Sequence, residues 1–260
     1  MNADLVIAYF AESKQSVKWA NDAINELHES ATAFFKGNVT EIITQVDTQT
    51  GENIQKLRLK VPFPDGFSRK TTEALTNIKH AFDQAVFASQ SAIGISNSKS
   101  NFPWSQNPSD LEHRIRKIDE RLRDAISKHE PYSRSDSYSG GNDVIRGLAS
   151  LANNKHTVGL SVDTRISTSN IPDVSGNVTS LSINHPRWDT EKNEAELIRW
   201  KGDANVSRNH RFGFQIIFQD TVLPHPVNII DGLRAFANKA DAVIESLQAR
   251  CLEIVAASIP

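Results

Sequence analysis

From Pro226 to Ala257 the chain places Ile230, Leu233, Ala237, Ala240, Ile244, Leu247, Cys251 and Ile254 at alternating steps of three and four. Only a long helix lays such positions along one stripe, and the spacing is heptad-like. An apolar stripe of that length has to be covered by something. Near the other end of the chain, Val17, Ala20, Ile24, Leu27, Ala31 and Phe34 repeat the same spacing on a helix predicted from Ser13 to Phe35. The economical arrangement packs these two helices together inside one chain. The alternative covers the seam in a homodimer through the C-terminal helix. Periodicity does not choose between them.

The segments between the two seams alternate in character. Gly37-Asn38 ends the first helix. Val39–Val46 and Ile54–Val61 are strand-like and flank a turn at Thr50-Gly51-Glu52-Asn53, which predicts a hairpin over 39–61. The breaker cluster Pro62-Phe63-Pro64-Asp65-Gly66 precedes a second helix, about Ser68 to Ile93, with Leu75, Ile78, Phe82, Ala85 and Val86 buried. A Ser- and Asn-rich loop follows, whose Phe102-Pro103-Trp104 is expected to plug onto the body. Ser109-Asp110-Leu111-Glu112 has a capping-box pattern. It predicts a third, charged helix to about His129, with Asp119 and Arg123 paired across one turn. A short helix runs from Asp143 to near Asn153. Beyond it Val158–Ile166, Val178–Ile183, Leu197–Trp200 and Phe212–Phe218 are strand candidates, the last strictly alternating.

This pattern predicts an α+β fold. A bundle of three to four helices carries a small β-hairpin, and a C-terminal antiparallel sheet is closed by the long C-terminal helix. One domain is expected over residues 1–260: a mainly helical part to 156, a sheet over 157–220, and the closing helix over 226–258. At 260 residues the chain can bury a substantial core. Its net charge of −2 is unlike the basic footprint of a protein that coats nucleic acid by charge alone. The apolar run Leu5–Ala11 is too short to cross a membrane, and with Asp4 beside it the N-terminus does not read as a signal peptide. No membrane partner is expected, and cytoplasmic residence fits. The single cysteine, Cys251, allows no internal disulfide and no cysteine-based zinc site.

The eight histidines include no HExxH pair, and the chain has no GxSxG elbow, P-loop or GxGxxG. Neither a cofactor nor a metal is expected. His113 and His129 flank the charged helix and are expected on a solvated face; His185-Pro186 and His225-Pro226 read as turn and helix-start residues. Arg208-Asn209-His210-Arg211 is a basic loop. The richest polar cluster closes Gly140–His156, where Asn153, Asn154, Lys155 and His156 crowd at a helix end before the strands begin. Lys and His there are favoured by the helix dipole, which is a sufficient structural reason for them. The functional alternative makes His156 an acid or base beside the charge of Lys155.

The order of short motifs resembles an uncharacterised bacterial family reading LRSxLDH, FPI, LQPY and LxxLxNIDKHR. The counterparts are Asn77–Gln84, Asn101-Phe102-Pro103, His129-Glu130-Pro131-Tyr132, and Leu148–His156, so the likeness covers roughly residues 70–160. The first motif is similar to the Arg-x4-His signature of HEPN domains, helical bundles in which those two residues cleave RNA without metal. Here Lys79 stands in the Arg position and Gln84 in the His position. An amide cannot carry the proton, and an ammonium is no substitute for the guanidinium fork.

The resemblance therefore implies a non-catalytic HEPN-like binding or accessory protein, with an unknown protein partner or RNA. On that reading Lys79, Asp83, Gln84, Asn153 and Tyr132 are the binding neighbourhood. The alternative is a metal-independent RNase-like phosphodiesterase in which Lys155 and His156 supply what Gln84 cannot. Catalysis requires Lys79, Gln84 and the Lys155/His156 pair to converge in an open cleft.

Overall fold

The computed structural model describes residues 2–95, 101–153, 160–166, 173–183, 188–189, 191–206, 212–218 and 227–258. Among the described residues, seven α-helices and antiparallel sheets make an α+β fold, with the longest of these helices at the C-terminal end. Three long helices form its centre: α2 (Ala11–Lys36), α3 (Asp65–Ala92) and α7 (Ile229–Ala257) pack on one another, α3 against both of the others. The seam of α7 is consumed inside the chain. Leu233, Ala237, Ala240, Leu247 and Cys251 have no solvent exposure, and each leucine so buried is worth about 2 kcal/mol. Only Ile254, at the far end, is left half-buried.

Four shorter helices dress this core. The apolar run at the N-terminus is a helix in its own right, α1 (Ala3–Tyr9). Asn2 caps it by accepting from Leu5 N, and Val6 and Phe10 are buried. The single charged helix expected over 109–129 is two helices, α4 (Pro108–Ile115) and α5 (Glu120–Ser127), which raises the count beyond the expected three to four. Ser109 does not cap α4. Asn107 accepts from Asp110 N at 2.9 Å and Pro108 occupies the first turn, where a missing N–H costs nothing. Asp119 does not pair with Arg123. It caps α5 and bonds Arg121, while Arg123 donates to the carbonyls of Ile118 and Arg116, stapling the break between the helices. The last helix of this group, α6 (Asp143–Asn153), packs on α3 and α7.

The predicted hairpin forms from β1 (Thr40–Val46) and β2 (Asn53–Leu59), turning through Gly51 at φ 69°. It does not stand apart. β2 pairs antiparallel with β7 (Glu194–Lys201), which also pairs with β5 (Ser180–Ile183) and β6 (Trp188–Asp189), giving one five-stranded sheet. A register shift opposite Gln55/Lys56 inserts Leu197 as an extra residue in β7. Such a bulge turns two successive side chains to one face, and Leu197 and Ile198 are indeed both buried, beside Leu57 and Trp200. β3 (Leu160–Ile166) pairs with β9 (Phe212–Phe218), and β4 (Val174–Ser175) with β8 (Asn205–Val206). β9 lies on α7 and contributes Ile216 and Phe218 to the helical core. The rings of Phe35 on α2 and Phe214 on β9 stack at 5.0 Å and 3°, joining that core to the smaller one behind the sheet.

Candidate functional site

Three of the expected site residues lie on α3, and the helix separates them. Lys79 and Gln84 are five residues apart, about 140° around the axis. Lys79 points to Asp83, one turn on, with Nζ 3.5 Å from Oδ2. Asp83 Oδ1 accepts from Phe102 N at 3.0 Å and from Trp104 Nε1 at 3.3 Å. Phe82, Phe102 and Trp104 form a triangle of rings with centroids 4.7–5.0 Å apart. The aromatic loop is thus plugged onto the body, as its composition predicts, and Asp83 is the acceptor that fastens it. Gln84 turns the other way: its Oε1 accepts from Ser16 Oγ on α2 at 2.7 Å. His80, beside Lys79, is exposed.

The remaining expected residues are spread further. Tyr132 is a core residue, 8% exposed, with its ring edge-on to Tyr138 at 5.7 Å. Burial, then the charge of Glu130 and the neighbouring Tyr138, hold its phenol above the usual value. Asn153 is the exposed last residue of α6. Lys155 and His156, with Asn154, lie outside the described residues, as do His185, the basic loop 208–211, His225 and Pro226. Among the described residues Lys79 is brought together with Asp83, whereas Gln84 bonds Ser16 on α2 and Tyr132 packs on Tyr138.

His129 contradicts its expected place on a solvated face. It is half-buried after α5, and its Nε2 has no hydrogen-bond partner among the described residues. Desolvation, reinforced by Lys239 and Lys128, pulls its pKa down to about 4, so the ring is neutral near pH 7. Its carbonyl accepts from Asn142 Nδ2, and Glu130, held at φ 48°, accepts from Gly141 N. Gly141 sits at φ 106° where a Cβ would lie 2.6 Å from Ser133 O, so the Gly-Gly turn is a packing requirement of this loop.

Two charged groupings have clear structural work. Glu194 is buried between Lys56 Nζ at 2.6 Å and Arg58 Nη2 at 2.8 Å. Arg199 bonds Glu196 and Asp47 and lies 3.5 Å from Glu52. Among the described residues, no group of three His, Cys, Asp or Glu side chains could hold a metal ion, and no helix is long and apolar enough to cross a membrane.

One concavity escaped the sequence reading. A cleft of about 420 Å³ opens where the C-terminal half of α2, the strand β9 and the first turns of α7 meet. Its lining comes from residues 28–36, 214–216 and 228–234, and no local motif marks any of them; only the stripe on α2 and the alternation of β9 hint that they share a face.

No protein-family model matches the chain, and no curated protein or solved structure does so either.

Proposed function

We propose that the chain is a non-catalytic binding or accessory protein on an HEPN-like helical scaffold, working in the cytoplasm with a protein or RNA partner. The observation that carries this reading is the use made of the degenerate motif. Gln84 ties α3 to α2 through Ser16, and Lys79 serves Asp83 beneath the aromatic loop, so the two ends of the motif face different elements. Residues that fasten a fold in this way are not free to converge on one phosphate.

The test is incubation of a labelled mixed RNA pool with the purified protein in the presence of a chelator, beside Lys79→Ala, His156→Ala and the double variant Lys79→Arg/Gln84→His. All four are expected to leave the RNA intact. The double variant restores the fork and the imidazole in type but not in direction, because position 84 faces α2. Cleavage by the native chain that disappears in His156→Ala would replace this reading with the RNase-like one. Cleavage gained by the double variant would show that the motif can converge after all.

A further inference from the structure

The cleft between α2, β9 and α7 has a chemistry of its own, independent of the α3 motif. On α2, Phe35 and Lys36 follow Thr32 by three and four residues, one turn on; on α7, Arg234 follows Asp231 by three. β9 supplies Phe214 between them. The wall is aromatic, because Phe35 and Phe214 are stacked face to face and both remain half-buried. The rim is cationic. Lys36 and Arg234 are both exposed, and neither has an ion-pair partner among the described residues. One carboxylate, Asp231, stands against these two cations, leaving the rim one positive charge in excess.

The start of α7 adds no anion site, since Asn228 Oδ1 already takes Ile230 N and Asp231 N. Any negative charge held here is held by the side chains of Arg234 and Lys36. A guanidinium presents a planar fork to a carboxylate or phosphate, and a half-covered aromatic face accepts a flat ring against it. At about 420 Å³ the cleft is of the size that takes a small organic molecule. We propose that it binds a small aromatic anion: a flat ring against the Phe35–Phe214 wall, with its carboxylate or phosphate on Arg234 and Lys36.

The experiment titrates the full chain with salicylate, indole-3-acetate and adenosine 5′-monophosphate, following ¹H–¹⁵N shifts of the amides of α2, β9 and α7. Salicylamide, indole-3-acetamide and adenosine are the uncharged counterparts. At least one anion is expected to saturate in the millimolar range or below, moving amides around Phe35, Phe214 and Arg234, with its neutral counterpart about tenfold weaker. Arg234→Ala should weaken that anion by a similar factor, and Phe35→Leu should weaken it while leaving the thermal midpoint within a few degrees. Arg234 is exposed, so its variant is expected to fold. The proposal is overturned if none of the three anions moves those amides at millimolar concentration. It is overturned equally if neutral and charged partners bind alike, or if binding survives Arg234→Ala unchanged.

Discussion

Asp83 shows how much a single carboxylate can organise. Its two oxygens receive a backbone N–H, an indole N–H and an ammonium, and these contacts hold the Phe102–Trp104 loop against Phe82. Removing the acceptor strands Phe102 N and Trp104 Nε1 in a half-buried setting, and unmet donors there cost more than the bonds gained. Asp83→Ala is therefore expected to destabilise the protein by about 2–3 kcal/mol. Asp83→Asn keeps one oxygen for the two donors and should lose less than half of that. Guanidinium unfolding of the three chains measures both, and equal losses would mean that charge and not acceptance fastens the loop. The sequence marks Asp83 through its motif, and the apolar triplet marks the loop. It cannot pair them, because an acceptor on a helix and a donor 19 residues on share no periodicity.

Elements long enough to repeat a period are the legible ones. The stripes of α2, α3 and α7 locate each helix to within a few residues, and β9 follows its alternation. Short elements and breaks are not legible in this way. α1 spans 7 residues, too few to distinguish a helix from any apolar run. The division between α4 and α5 is hidden because Leu111, Ile115, Ile118, Leu122 and Ile126 keep helical spacing straight through the tight turn. The capping side chain is what separates the two readings. Asn107 satisfies Asp110 N at the start of α4, whereas a capping box would have had Ser109 accept from Glu112 N. Asn107→Ala should cost about 1 kcal/mol and Ser109→Ala close to nothing. Denaturation midpoints of the two variants measure this, and the reverse order would restore the capping box.

The sheet belongs to the whole molecule and is correspondingly obscure in sequence. β2 and β7 are joined across 138 residues by Lys56 and Glu194, and a hairpin complete in itself gives no sign that a distant strand will lie beside it. The cleft has the same character: no motif marks Phe35, Phe214 or Arg234, and they are gathered only when three remote elements meet. Folding this way also buries groups whose titration the entire fold must bear. His129 is held to about 4 by desolvation, then by Lys239 on α7 and by Lys128, against an ordinary 6.5. Below pH 6.5 the unfolded chain takes a proton on this imidazole while the folded chain refuses it, so falling pH favours unfolding until about 4, where both forms are charged. Burial pushes Glu194 up, but hydrogen bonds from Lys56 and Arg58 prevail and leave it below 4.5. Its contribution is therefore intact above that value and is lost only under stronger acid. Asp241 runs the other way: burial, then Glu245, raises it, so protonation there recovers some stability as pH falls through its raised pKa. Between pH 7 and 5 the loss from His129 comes first. The guanidinium midpoint of the native chain should drop across that interval, and His129→Gln, which cannot titrate, should drop by clearly less. If the two fall in parallel, the proton that unfolds the protein is taken up somewhere other than His129.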